Sequence, residues 1–243
     1  MRTSNKILLS VFLVVMLIPT FLHVALYAKY KSGIYVSMKN VVEDQFVHNH
    51  LKTVHYVVAH GLENFTIIPS DTLQLEIEKD SHGFVKFEII GDSLVIHGDS
   101  TIMRPNRTTD VDRSSQQVNL YLPSAEKIAL DYCDVTLRIK EDSTQAKSFN
   151  FDLYNSSNFQ FSNNDYQDSS DKYINSLSIK AAHSSRIEFS MYKIVKNFKL
   201  DLSDSQFDDK NAQIEKLSIN ADKLSSITLK GDNLTKLNAT KQQ

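Results

Sequence analysis

The sequence predicts an all-β solenoid preceded by one N-terminal transmembrane helix. Three observations carry that prediction. The chain opens on an uncharged apolar run. From about Leu51 onward it breaks into short alternating runs with almost no helical periodicity. And it repeats itself: SLSIKAAHSSRIEFS, Ser176–Ser190, returns forty residues later as KLSINADKLSSITLK, Lys216–Lys230. The division that follows is a signal anchor or transmembrane segment at 1–31, a juxtamembrane linker at 32–50, and a β-domain at 51–243.

The first element is Ile7–Ala28, ILLSVFLVVMLIPTFLHVALYA, 22 positions without a formal charge. At about 1.5 Å per helical residue it spans a hydrocarbon core of roughly 30 Å. A cleaved signal peptide would put Ala28 at −1 and Leu26 at −3, where a small residue is needed, and the run exceeds the usual apolar length of about 7–15 residues. An uncleaved anchor fits better. Pro19 and His23 inside it read as a tolerated kink and a polar residue near one interface, and Tyr27 and Tyr30 as interfacial anchors. Arg2 and Lys6 precede the run and Lys29 and Lys31 follow it, so flanking charge is nearly silent on orientation. The exported look of the remaining chain sets the expectation: a short cytoplasmic N-terminus, a single pass, and a periplasmic C-terminal domain.

The strand elements follow in order. TVHYVVAH (Thr53–His60), NFTIIP (Asn64–Pro69), LQLEIE (Leu73–Glu78), FVKFEII (Phe84–Ile90) and SLVIHG (Ser93–Gly98) each place apolar residues at alternate positions. HGLE, PSD, DSHG and GDS punctuate them. GDSTIMRPNRTTDVDRSS (Gly98–Ser115) reads as a polar loop, and QVNLYLP (Gln117–Pro123) restarts the strands.

The repeat then gives the architecture. Aligning Leu177-Ser178-Ile179 with Leu217-Ser218-Ile219 puts Ala181 on Ala221, Ser185 on Ser225, Ile187 on Ile227 and Phe189 on Leu229, without a gap. Phe149, Phe151, Ser157, Phe159 and Phe161 keep the same spacing. FKLDLSDSQF (Phe198–Phe207) is a contracted copy, and KIALDYCDVTLRI (Lys127–Ile139) resembles it. Taking Leu130, Phe151, Ile179, Leu200 and Ile219 as equivalent gives steps of 21, 28, 21 and 19 residues. Two short strands per step of about 20 residues is the pattern of a β-solenoid. Each rung presents an apolar stripe it cannot cover alone, and stacking at about 4.8 Å buries the stripes as one core. Ser pairs fall at the corners, where hydroxyls bond nearby backbone. A β-sandwich with accidental similarity is the competing fold. The leucine-rich pattern is not met.

Composition limits the function. The 243 residues are 23% charged and 41% hydrophobic, so a packed core is expected. Residues 1–31 hold four basic and no acidic residues. The remainder carries 23 basic and 29 acidic, which argues against a nucleic-acid surface. The lone Cys133 excludes an intrachain disulfide framework and a cysteine-only zinc site. The chain has no P-loop, no dinucleotide fingerprint, no H-E-x-x-H and no G-x-S-x-G elbow.

VVAHGLENFTIIPSDTLQLEIEKDSHGFVKFEIIGDSLVIHGD (Val57–Asp99) resembles the opening of the auto-transporter adhesin head GIN domain family, DUF2807, including the phrase that ends in a "gdsLvI" pattern. VNLYLPSAEKIALDYCDVTLRI (Val118–Ile139) is similar to the phrase with which that family begins its stacked rungs. The likeness runs from about Thr53 to Leu237. It implies a right-handed parallel β-helix-like domain on exported or surface-attached bacterial proteins, and no reaction. One departure is local: where that family's corners are often Gly-rich, this chain has Tyr132-Cys133, Ser156-Ser157 and Ser184-Ser185.

Three clusters carry residue types suited to chemistry. His48, His50, His55 and His60 lie close in sequence, and His48 and His50 share a strand face, but no Cys or well-spaced carboxylate completes a metal set. SNNDYQDSSD (Ser162–Asp171), with Asn164, Asp165, Asp168 and Asp171, lacks EF-hand spacing and reads as a polar loop. DLSDSQFDD (Asp201–Asp209) has four Asp that a solenoid wall could pair as glycosidase-like carboxylates, but solvated outward charge accounts for them. The recurrence of Ser185 and Ser225 is structural. Phe149, Phe151, Phe159, Phe161, Phe189 and Phe198 sit at core positions. The expectation is a non-catalytic, membrane-anchored, adhesin-like binding or structural module of the bacterial envelope. It has no catalytic, cofactor or metal residues, and its partners are the membrane and a glycan or envelope protein. A polysaccharide-acting β-helix enzyme and a self-assembling or sensory component are the alternatives.

Overall fold

The structure, a computed structural model, describes residues 3–32, 45–79, 84–98, 117–123, 125, 127–139, 148–162, 173–190, 194–210 and 212–240. They divide into two units, Met1–Gln45 and Phe46–Gln243. The first unit is helix α1, Thr3–Lys31. Its span Phe12–Lys31 is long and apolar enough to cross a bilayer, with a mean hydropathy of 1.8. The polar groups inside it are satisfied locally: His23 Nδ1 lies 3.0 Å from the Pro19 carbonyl, and Thr20 Oγ1 donates to the Met16 carbonyl at 2.7 Å. Lys29 and Lys31 occupy the last turn, the favourable end of the helix dipole for a cation.

The second unit is almost all strand, as period-2 alternation requires. An eight-stranded sheet holds, in spatial order, β16 (Gln213–Ala221), β14 (Ile194–Ser203), β12 (Tyr173–Ala182), β10 (Ser148–Tyr154), β8 (Lys127–Asp131), β2 (Tyr56–His60), β6 (Ser93–His97) and β5 (Lys86–Ile90). A nine-stranded sheet holds β1 (Phe46–His50), β4 (Gln74–Glu78), β7 (Gln117–Leu122), β3 (Asn64–Pro69), β9 (Asp134–Leu137), β11 (Asn158–Phe161), β13 (Arg186–Phe189), β15 (Gln206–Asp208) and β17 (Ser226–Thr228). From β8 onward consecutive strands alternate between the sheets, and each pairs in parallel with its neighbours. The expected wholly parallel arrangement is not what the sheets show. β1–β4, β4–β7 and β5–β6 are antiparallel, so both sheets are mixed. Phe46–His50, expected in a linker, is the edge strand β1, with Phe46 buried.

The repeat is realised as register. Phe149 stands beside Leu177, Phe151 beside Ile179, Phe159 beside Ile187 and Phe161 beside Phe189. Ile179, Leu200 and Ile219 are also aligned in turn. The first equivalence differs: Phe151 pairs with Ile128, and Leu130 with Leu153. A slip of two residues leaves every side chain on the same face, so the alternation could not detect it.

The core lies between the sheets, and phenylalanines fill its later rungs. Phe189 sits 5.6 Å from Phe161, 4.9 Å from Phe198 and 5.3 Å from Phe207, ring centre to ring centre. Burying each ring contributes about 1.5–3 kcal/mol.

Sharp corners join successive strands of the two sheets. Gly61, Tyr132, Asn155, Ser156, His183, Ser184 and Asp204 all have positive φ, so non-glycine residues take the left-handed step that glycine usually supplies. Stacking compensates their strain. Tyr132 N–H donates to Tyr154 O, Ser156 N–H to His183 O and Ser184 N–H to Asp204 O. Beneath them runs a ladder of small polar side chains. Ser157 Oγ accepts the N–H of Cys133 at 3.1 Å, and Ser225 Oγ accepts that of Ser205 at 3.2 Å. Gly98 is needed for another reason: a Cβ there would lie 2.2 Å from Gly61 O.

Helix α2, Asp232–Thr240, packs on β16. Its Asn233 donates to Asp209 Oδ2 at 2.9 Å and to the Ala212 carbonyl at 2.6 Å, both in buried surroundings. Asp209 also accepts Lys230 N–H at 3.0 Å.

Candidate functional site

Alternate residues of the nine-stranded sheet point away from the core, and register assembles them into a row. Starting at the β1 edge it reads His48, Glu76, Asn119, Thr66, Thr136, Gln160, Glu188, Asp208, Thr228. Every strand contributes a polar residue. The inward neighbours, such as Ile67, Val135, Leu137, Phe159 and Phe161, are fully buried. The row is therefore the outward half of the same alternation that builds the core.

Its first members form a network. Glu76 and Asn119 are each only 8% exposed although they face outward. Glu76 Oε1 lies 3.2 Å from His48 Nδ1 and accepts Gln74 Nε2 at 3.0 Å, while Oε2 accepts Asn119 Nδ2 at 3.2 Å. Tyr121 joins the network: burial first, and then the charge and hydrogen bond of Glu76, push its phenol up to about 12. The phenol stays protonated and acts as a donor.

Beside this network lies a cavity of about 420 Å³ lined by Glu63, Asn64, Thr66, Gln117, Asp134, Thr136, Arg138, Gln160 and Ser162. Thr66 and Thr136 at its floor are half-buried. Asp134 is exposed, and partial desolvation of its carboxyl among neighbouring groups, with the charge of Glu63, raises it above its ordinary value. Beyond it, Arg186 pairs with Glu188, and Lys210 with Asp208 at 2.9 Å. The lining is a set of amides, hydroxyls, two carboxylates and one guanidinium. It can make many directional hydrogen bonds and offers no large apolar contact.

The structure disperses the clusters singled out by sequence. His48 and His50 share β1, His55 precedes β2, and His60 lies on the other sheet, 2.8 Å from Asp131 Oδ2. Among the described residues no group of three or more His, Cys, Asp or Glu is arranged to hold a metal. The four Asp of the 201–209 stretch part company. Asp201 pairs with Lys199 at 3.8 Å on β14, and Asp204 is at a corner. Asp208 pairs with Lys210 on the opposite sheet, and Asp209 is buried beneath Asn233. Asn164, Asp165, Asp168 and Asp171 lie outside the described residues, as does 99–115 of the polar loop. Ser185 is buried and donates to Ala182 O at 2.8 Å, a corner role. Cys133 is 1% exposed, and burial pushes its thiol up to about 11, so it is an inert packing residue. The groove residues were not singled out by sequence. They come from segments far apart in the chain, and no local motif marks them.

No known family profile matches the chain, and no curated protein matches it. Solved structures show a distant likeness. A "putative adhesin" from Bacteroides fragilis is 10% identical over 75% of this chain and 95% of its own, with a TM-score of 0.38. A "putative adhesin" from Parabacteroides distasonis is 10% identical over 75% and 77%, at 0.39. A "putative lipid binding protein" from the same species is 12% identical over 76% and 96%, at 0.37.

Proposed function

We propose that this chain is a membrane-anchored, extracytoplasmic, non-catalytic binding module of the bacterial cell envelope, adhesin-like in use. Its β-domain is read as a right-handed parallel β-helix-like solenoid of the GIN type, with antiparallel strands among its first rungs. The observation that carries the reading is the row His48–Thr228, one polar side chain from each of nine strands, with a groove beside its buried end. A long regular face of this kind suits an extended ligand. The apolar span of α1 supports a single-pass anchor in the cytoplasmic membrane. The resemblance of Val57–Asp99 and Val118–Ile139 supports the envelope setting.

Two measurements test it. Protease added to intact spheroplasts should digest the β-domain and spare the N-terminal end; resistance until lysis overturns the topology. Full-length chain in nanodiscs should capture an envelope component that a Thr136→Val, Gln160→Ala variant does not. Equal capture by both removes the groove from the account.

A second reading has one specific observation behind it. Glu63 and Asp134 line one groove, and the Asp134 carboxyl is raised above its ordinary value, the direction that a general acid requires. Incubation with neutral polysaccharide distinguishes the two: a module leaves chain length unchanged, whereas an enzyme gives shorter products that Asp134→Asn abolishes.

A further inference from the structure

We propose that the groove between β7 and β11 takes a neutral, hydroxyl-rich polysaccharide laid across the strands, each sugar meeting one strand through Gln117, Thr66, Thr136 or Gln160. This rests on the binding-module reading above and names its ligand class.

The spacing is the first argument. Neighbouring strands lie about 4.8 Å apart, so the row presents one hydrogen-bonding group at each such step. One pyranose of an extended, equatorially linked chain advances by about that interval, and although successive rings flip, each carries hydroxyls on both edges, so every strand meets a hydroxyl. An extended peptide laid the same way repeats its same-side groups only every second residue, roughly 6.6 Å, and falls out of step within three strands.

Chemistry is the second argument. Thr66, Thr136, Asn64, Gln117 and Gln160 both donate and accept, as sugar hydroxyls do. Glu63 and Asp134 accept from vicinal hydroxyls, and Arg138 donates to them. These two carboxylates outnumber the single guanidinium. A phosphodiester or polyuronate backbone would therefore meet like charge. A lipid chain finds no apolar wall. The strands fix the side chains in advance, so little order must be imposed on binding.

The test is calorimetric titration of the full-length chain in nanodiscs with neutral β-linked glucose oligomers of increasing length, and with uronate oligomers of equal length. Affinity should rise with length and level off once the oligomer covers β7, β3, β9 and β11. The uronate series should bind at least about tenfold more weakly, as like charge in a partly desolvated groove requires. Thr136→Val keeps shape and strand propensity but removes the hydroxyl, and with Gln160→Ala it should cost about tenfold or more. Lys180→Ala, on the other sheet, should change nothing. Uronates binding as well as the neutral series overturns the ligand class and leaves the module. If no oligomer binds but the envelope capture above succeeds, the ligand class falls and the module reading stands. If both fail, both readings fall.

Discussion

Ser157 Oγ accepts the backbone N–H of Cys133 at 3.1 Å, one rung away along the stack. The same hydroxyl is 2.6 Å from Tyr154 O and 3.2 Å from Leu130 O, and Ser157 is fully buried. This contact ties two corners together inside the protein, where water cannot replace it. Ser157→Ala leaves a buried donor without its acceptor and should cost about 1–3 kcal/mol. Urea unfolding followed by tyrosine fluorescence measures it. A loss below about 0.5 kcal/mol, the range of an ordinary surface change, would show that the ladder is not structural.

Phe189 is the hub of the aromatic core, in contact with Phe161, Phe198 and Phe207. Phe189→Ala should destabilise by about 3–5 kcal/mol, and Phe189→Leu by clearly less, because the cavity left is smaller. Equal costs for the two would mean that the site collapses around the lost ring.

Two glycines separate close approach from backbone strain. Gly98 has Gly61 O at 2.2 Å and Leu62 Cδ2 at 2.8 Å from a built Cβ, whereas Gly91, at φ +64°, has open space around it. Gly91→Ala should cost about 1–2 kcal/mol from the left-handed conformation alone. Gly98→Ala must push two backbones apart and should cost more, with lower soluble yield. The reverse order would contradict the packing of β2 against β6.

Asp222 fastens the last rung. Its Oδ1 accepts Ser225 Oγ at 2.7 Å, Ser225 N–H at 2.9 Å and Leu224 N–H at 3.1 Å, and its Oδ2 accepts Ser203 Oγ at 3.0 Å. The Ser225 hydroxyl foremost, with the Asp204 N–H and Ser203 hydroxyl, holds its carboxyl down at about 2 from the ordinary 3.8. A folded value below the unfolded one stabilises the fold above the unfolded value, and that stability is lost as pH falls through the folded one. Amide-exchange protection factors at β16 and β17, corrected for the intrinsic pH dependence of exchange, should therefore fall between about pH 4 and pH 2. Asp222→Asn should weaken the rung at neutral pH and flatten this dependence. An unchanged profile in the variant would assign the acid response to another group.

Much of the β-domain was legible because its signals are local. Alternation marked the strands, and the Phe151, Ile179 and Ile219 spacings marked the rungs. What escaped is what local pattern does not encode. Leu130 was placed two residues out of register because that slip preserves its face. β1 escapes the pattern because the apolar residues of FVHNH, Phe46 and Val47, are adjacent rather than alternating, and its partner β4 lies far along the chain. Helix α2 is short and weakly apolar, and its anchor is a polar contact, Asn233 to Asp209. The groove was invisible for a topological reason. β3 inserts between β7 and β9, which brings Thr66 beside both Asn119 and Thr136. Alternation says only that these residues face outward. Which of them become neighbours is decided by the order of strands.

The most direct test of the central claim, that the outer face of the nine-stranded sheet is where this chain meets the envelope, is photo-crosslinking in intact cells. A photoreactive side chain is placed at position 160 in the groove or at position 180 on the other sheet. The account predicts a discrete crosslinked envelope species from position 160 and none from position 180. Crosslinking from position 180 alone, or from neither position, would contradict it.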